Sequence, residues 1–137
     1  MFTASPDYLY VTDMEGRFLD ANPAFLKWAG VSREEIQQRY FMHFFAGERI
    51  QELQIYFEKI RRGQEIKKLQ MRIKNTRGET LECEINALPL TENSQITAVL
   101  NVARDITERI RVERALRESE EKYRVLLEAS SHYTQGT

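Results

Sequence analysis

The stretch KLQMRIKNTRGETLECEINA, residues 68–87, decides the fold class. Leu69, Met71 and Ile73 alternate with Lys68, Gln70, Arg72 and Lys74, the period of a strand with one buried and one wet face. Asn75-Thr76-Arg77-Gly78 supplies turn chemistry, after which Leu81, Cys83, Ile85 and Ala87 alternate with Thr80, Glu82, Glu84 and Asn86. The pattern predicts two strands joined by a hairpin. A third strand is expected after the polar Thr91-Glu92-Asn93-Ser94 turn, with Ile96, Ala98, Leu100 and Val102 as its apolar face.

Upstream, Ile50, Leu53, Phe57 and Ile60 recur at helical spacing between Glu48 and Arg62, and Gly63 follows as a stop. Asn22-Pro23 pairs a side chain able to cap free N–H groups with a proline suited to the first helical position, so a short helix should run to Ala29 and end at Gly30. Ser32-x-x-Glu35 reads as a capping box opening another helical turn through Ile36. Tyr8 to Thr12, the turn Asp13-Met14-Glu15-Gly16 and Arg17 to Ala21 read as a hairpin. The predicted order β-β-α-α-α-β-β-β gives an α+β fold, an antiparallel sheet with helices on one face and a pocket between the two.

Ser5-Pro6-Asp7, Asp13-x-x-Gly16-Arg17, Asp20-Ala21-Asn22-Pro23-Ala24-Phe25, Gly30-Val31-Ser32-x-Glu34-Glu35-Ile36, Asn75-x-x-Gly78-Glu79 and Arg104-Asp105-Ile106-Thr107-Glu108-Arg109 together resemble the PAS family from Ser5 to Arg109. The resemblance implies a five-stranded antiparallel sheet with helices packed on one face, followed by a long amphipathic helix. It also implies a sensory or signal-relay module of a histidine-kinase or diguanylate-cyclase type protein, with the output domain in the same parent chain. The expected divisions are a sensory domain at 1–104, a signalling helix at 105–128, and a tail at 129–137. In that tail Ala129-Ser130-Ser131-His132-Tyr133 echoes Ala4-Ser5-Pro6-Asp7-Tyr8, as the truncated start of a following repeat or a disordered end would.

Composition limits the chemistry. At 137 residues there is room for one core, and thirteen Phe and Tyr side chains suffice to fill it. Twenty basic against twenty-one acidic residues leave no global field for nucleic acid or an anionic membrane; Arg61-Arg62 with Lys67-Lys68 is the one basic cluster. Cys83 is the single cysteine, so neither a disulfide framework nor a cysteine-based zinc site forms within one chain, and no metal site is expected. With no apolar run long enough to span a bilayer, a cytoplasmic module without direct membrane contact is expected. His43 and His132 are the only imidazoles and no two glycines are separated by a single residue, so neither a hydrolytic constellation nor a phosphate cradle is legible. The module is expected not to be an enzyme, and His43 to be a structural or capping residue.

By resemblance, Tyr10, Phe25, Trp28, Phe44, Phe45, Tyr56 and Met71 fall in pocket-facing regions. Two readings stand: they fill the core, or they line a cavity for an apolar or flat small molecule. The photoactive flavin relatives carry an Asn-Cys-Arg-Phe-like helix motif that is absent here, and Cys83 falls on a strand. Haem-binding relatives offer a histidine on the long helix, where residues 48–62 have none. Redox flavin relatives place a tryptophan near the start of the third strand, a position held by Ile66 or its neighbours. The cofactor, if there is one, stays unidentified, and a ligand-free dimerisation or protein-interaction module is the alternative.

Asp105 to Glu128 holds seven acidic and six basic residues, with Glu113–Arg117, Glu118–Lys122 and Glu120–Arg124 placing acid four residues before base. Beneath them Val112, Leu116, Ser119, Tyr123 and Leu126 are spaced four and three alternately, as a coiled-coil seam requires. A helix of that length spans about 36 Å. It reads as the pairing helix of a homodimer or as a plain spacer. Asp105 and Thr107 in the exit motif, with Arg17 as partner, are the candidates for signal coupling: Asp105 is expected to accept hydrogen bonds from the Gly16–Arg17 region, or else only to cap the outgoing helix.

Overall fold

The computed structural model describes residues 7–45 and 50–135, in two units: Met1–Asp105 and Ile106–Thr137. The Ser5-Pro6 motif and Glu48 lie outside the described residues.

The first unit runs β1 (Tyr8–Thr12), β2 (Phe18–Ala21), α1 (Pro23–Ala29), α2 (Arg33–Ile36), a 3₁₀ turn (Phe41–Phe44), α3 (Ile50–Arg61), β3 (Ile66–Lys74), β4 (Thr80–Glu92) and β5 (Gln95–Asp105). All four strand pairings are antiparallel, and the order across the sheet is β2-β1-β5-β4-β3. The expected fold class is therefore the observed one.

Local chemistry explains the helix limits. The Asn22 side chain accepts a hydrogen bond from the Phe25 amide at 3.0 Å, Pro23 takes the first helical position, and Gly30 closes α1 in the left-handed conformation at φ 79°. Ser32 and Glu35 form the reciprocal capping box of α2, which holds the Glu35 carboxyl below the usual range through its bonds to Ser32. The β3–β4 turn is the expected Asn75–Gly78 segment. The β4–β5 turn is tighter than expected: both strands continue to Glu92 and Gln95, leaving Asn93 and Ser94 at positive φ, as a two-residue hairpin turn demands.

The expected third strand is β5, and Ile96, Ala98, Leu100 and Val102 do share a face, which is the back of the sheet. The buried side carries Val99, Asn101 and Ala103. Register compels this, because Asn101 stands opposite both Tyr10 and Ala87, and Ala103 opposite Ile85, all of which face the helices. On the back, Val11 and Leu88 flank Leu100 while Leu9 lies opposite Val102. A second irregularity lies in β3, where the register shifts between Ile66 and Leu69 and Lys68 adopts φ 56°. The Asn86 side chain accepts from the displaced Lys68 amide at 3.1 Å.

The second unit is one helix, α4 (Thr107–Gln135). It runs past the expected end at Glu128, since no Gly or Pro occurs between Glu128 and Gln135 to stop it. The tail at 129–135 is thus helical.

Gly16 sits at φ 90° in the β1–β2 turn, and a Cβ there would lie 3.0 Å from the Phe41 ring. Gly16→Ala should therefore destabilise the protein by more than about 1 kcal/mol, read as a lowered urea midpoint at constant slope.

Candidate functional site

The seven expected pocket residues are all brought together between the sheet and the helices. Tyr10, Phe25, Phe44, Tyr56 and Met71 are buried, and Trp28 and Phe45 are half-buried against them. β1 delivers Tyr10, α1 delivers Phe25 and Trp28, the 3₁₀ turn delivers Phe44, α3 delivers Tyr56 and β3 delivers Met71. Phe45 is fixed by an isolated bridge from its backbone to Ile73 of β3.

These rings touch one another. Centroids lie 5.0 Å apart for Tyr10–Phe25, 5.8 Å for Phe25–Phe44, 5.9 Å for Phe25–Trp28 and 6.4 Å for Trp28–Phe44. Each such pair adds roughly 0.5–1.5 kcal/mol beyond simple burial. Two members were missed from the sequence. Phe18 contacts Tyr10, Phe25 and Phe44, and Phe41 joins Tyr10, Phe45, Tyr56 and Phe57. The available signal for Phe18 was its place as the first apolar residue after the Gly16 turn.

A polar pair is set into this apolar volume. Asn101, fully buried on β5, accepts a hydrogen bond from the Tyr56 hydroxyl at 2.5 Å and donates to the Val99 carbonyl at 3.3 Å. An unsatisfied amide there would carry its full desolvation cost, so the bond ties α3 to the sheet. Burial raises the Tyr56 phenol, an effect partly opposed by its bond to Asn101; Tyr10 is raised well above its usual range by burial, then by Tyr56 and Cys83. Cys83, opposite Met71 in the β3–β4 ladder, is pushed up to about 12 by burial first and then by Glu82 and Asp105. It is a protonated core residue at neutral pH.

The coupling residues are not brought together. The register puts Tyr8 opposite Ala103 and Thr12 opposite Val99, so Asp105 lies beyond one end of β1 while Arg17, next to Phe18 and its partner Thr12, lies beyond the other. That separation is roughly 20 Å at the rise of a strand. The Arg17 guanidinium donates to the Gln37 carbonyl at 2.8 Å and its amide to Asp13, and Asp105 instead lies near Tyr8, whose phenol it helps raise after burial. The expected bond from the Gly16–Arg17 region to Asp105 is thus replaced by local turn contacts. Thr107 is half-buried at the start of α4. His43 is exposed, its Nδ1 facing the Tyr40 amide at 3.5 Å and its ring edge-on to Tyr40. No group of three metal-ligating side chains occurs among the described residues, and no described helix is long and apolar enough to cross a membrane.

A family model described as PAS fold matches residues 2–111. Among solved structures, a domain of a sensory box sensor histidine kinase/response regulator from Geobacter sulfurreducens superposes with a TM-score of 0.61 at 24% identity, covering 72% of this chain and 82% of that one. The PAS domain of an HTR-like protein from Haloarcula marismortui gives 0.62 at 22% identity, covering 77% and 85%. A PAS domain from Colwellia psychrerythraea gives 0.64 at 22% identity, covering 74% and 87%. At these identities the likeness is one of fold. Comparison with curated protein sequences returned no match.

Two measurements probe the core. Tyr56→Phe leaves the Asn101 carbonyl without its partner and should cost about 1–3 kcal/mol in urea unfolding, with a smaller loss in Tyr56→Phe/Asn101→Leu, where both polar groups are gone. Because the Cys83, Tyr10 and Tyr56 groups have raised folded-state values, the neutral forms stabilise the native state fully below the ordinary thiol value of 9.0. Stability should then fall as pH rises from there toward about 12, since the unfolded chain loses those protons first. Thermal midpoints across that range check the sign.

Proposed function

Because the chain belongs to the PAS fold family, we propose that it is a sensory or signal-relay module of a larger signalling protein, working as a pair of copies joined along α4. The observation that carries this reading is the exposure of the α4 seam: Val112, Leu116, Tyr123 and Leu126 are 57%, 58%, 65% and 62% exposed in a single copy. With Ser119 between Leu116 and Tyr123 the positions alternate at four- and three-residue spacing, so the four large side chains share one face, and a second α4 offers them the same seam in return. The ion pairs found on α4 are Glu108–Arg111, Arg109–Glu113 and Glu121–Arg124 in place of the expected acid-four-before-base set, and together with the other charges they keep the helix solvated.

An event at the aromatic cluster reaches β5 through Tyr56 and Asn101, and only Ile106 lies between the last residue of β5 and the first of α4. Asp105 and Thr107 then bias two arrangements of the paired helices, and the population shifts between them. In this reading the module performs no catalytic step, works in the cytoplasm and hands its signal to a kinase or cyclase domain in the same chain, as the sensor-kinase context of the Geobacter neighbour suggests by analogy. The close ring contacts favour a second reading, in which the core is filled and the module serves dimerisation or protein interaction without a ligand.

Sedimentation velocity on the full chain should give a dimer, and Leu116→Glu should weaken association by roughly tenfold or more, because a carboxylate in the seam must be desolvated. An unchanged dimer in Leu116→Glu would remove α4 as the interface. In the intact parent protein, Asp105→Ala is expected to alter output in at least one signal state; equal output in both states would end its coupling role.

A further inference from the structure

The start of β1 meets the end of β5 on both faces of the sheet. Tyr8 pairs with Ala103, so Asp7 and Arg104 stand opposite one another on the back, where Arg104 Nε donates to an Asp7 carboxylate oxygen at 3.4 Å. On the core face the same register sets Asp105 diagonally across from Tyr8, a spacing that an aromatic side chain spans. Asp105 also stands opposite the fully buried Cys83 of β4, which places it on the core side. Burial first, the Asp105 carboxylate second and Cys83 third raise the Tyr8 phenol, so the Asp105 charge acts on the hydroxyl end of the ring.

The same stretch of β1 receives α1. Asn22 donates from its side chain to the Asp7 carbonyl at 3.0 Å and from its amide to the Leu9 carbonyl at 2.8 Å, so the start of α1 holds β1 on both sides of Tyr8. The Tyr8 ring lies edge-on to Phe25, with centroids 6.3 Å apart, and 6.1 Å from Trp28. Tyr8 therefore touches two rings of the aromatic cluster and directs its hydroxyl end toward the last residue of β5. Tyr10, two residues on, is enclosed among Phe18, Phe25 and Phe41, and its cross-strand neighbour is Asn101. The Asp7–Arg104 pair is solvent-screened and weak, and its part is to steady the two strand ends.

We propose that Tyr8 is the positioning residue that joins the aromatic cluster to Asp105, taking the place expected for Arg17 and giving the cluster a route to the exit motif separate from Tyr56 and Asn101. This role deepens the relay reading given above and rests on it for its purpose, while the link itself lies wholly within the first unit. A phenol ring is suited to it because the side chain has only two torsions and turns as one rigid body, so a change in how Phe25 or Trp28 pack reaches its far end.

A double-mutant cycle in the full chain reads the link. Trp28→Phe and Asp105→Asn should be coupled by about threefold or more in the unfolding constant measured in urea, as for residues that share one network. In a Tyr8→Val background that coupling should shrink to less than about 1.5-fold, the level of independent sites. Tyr8→Phe, which keeps the ring contacts and the packing, should remove it as well, because it lacks the hydroxyl that the Asp105 charge acts on. Tyr56→Phe should leave the coupling unchanged. A Tyr8 that only fills space would lower stability in every background and leave the Trp28–Asp105 coupling intact, which would overturn the proposal. A coupling absent from the native chain, or lost in Tyr56→Phe instead, would overturn it too. Failure of the relay reading shows separately, as equal output of Asp105→Ala in both signal states of the intact parent while the cycle still reports coupling.

Discussion

The sheet exists only because the last strand inserts beside the first. β5 bonds to β1 on one side and to β4 on the other, and without it the β1–β2 and β3–β4 hairpins would be separate two-stranded pieces, each marginal alone. The first unit depends on that long-range pairing. It sets the register that buries Asn101, it places Tyr10 opposite the amide that Tyr56 engages, and it gives the helices one continuous face to cover. Such a contact closes most of the unit's length at once, so the two hairpins are the local structures that can form before it.

The centre of the molecule is also its driest and most aromatic region, and it holds one polar bond between α3 and the central strand. A buried bond of this kind contributes less to net stability than to uniqueness, since any other seating of α3 leaves Asn101 without its partner. Ring contacts around it tolerate small displacements, whereas the Tyr56–Asn101 bond does not. The core therefore combines ring-on-ring packing, in which α1 contributes Phe25 and Trp28, with one directed bond from α3 to β5.

Much of this was legible beforehand, for reasons that are local. Asn22-Pro23, Gly30, Ser32 with Glu35, and Asn75 with Gly78 each specify a backbone conformation through their own chemistry, and each element end they mark is found where it was expected. Strands β3 and β4 could be read from alternation because one face meets water. For β5 alternation revealed the strand but not which face meets the helices, because it is central: its back face carries Ile96, Leu100 and Val102 and its core face Val99, a polar Asn and a small Ala. The Arg17–Asp105 pairing failed for a related reason. Both residues follow strand ends, and only the antiparallel register of β1 and β5 reveals that these ends are opposite ones. α4 continues beyond Glu128 because no Gly or Pro between Glu128 and Gln135 breaks it.

The bulge at Lys68 has its own consequence for how copies of the molecule meet. β3 is an edge strand of nine residues, long enough to template another strand, but its ladder is interrupted by the displaced Lys68, and it carries the charged side chains Lys67, Arg72 and Lys74, of which Lys67 pairs with Glu65 and Arg72 with Glu82. The opposite edge, β2, has only four residues. Both rims thus resist the hydrogen-bonded addition that would turn stacked sheets into a filament. Repeats of such a unit along one chain, or high local concentrations of it, are disfavoured from growth by continuous backbone pairing.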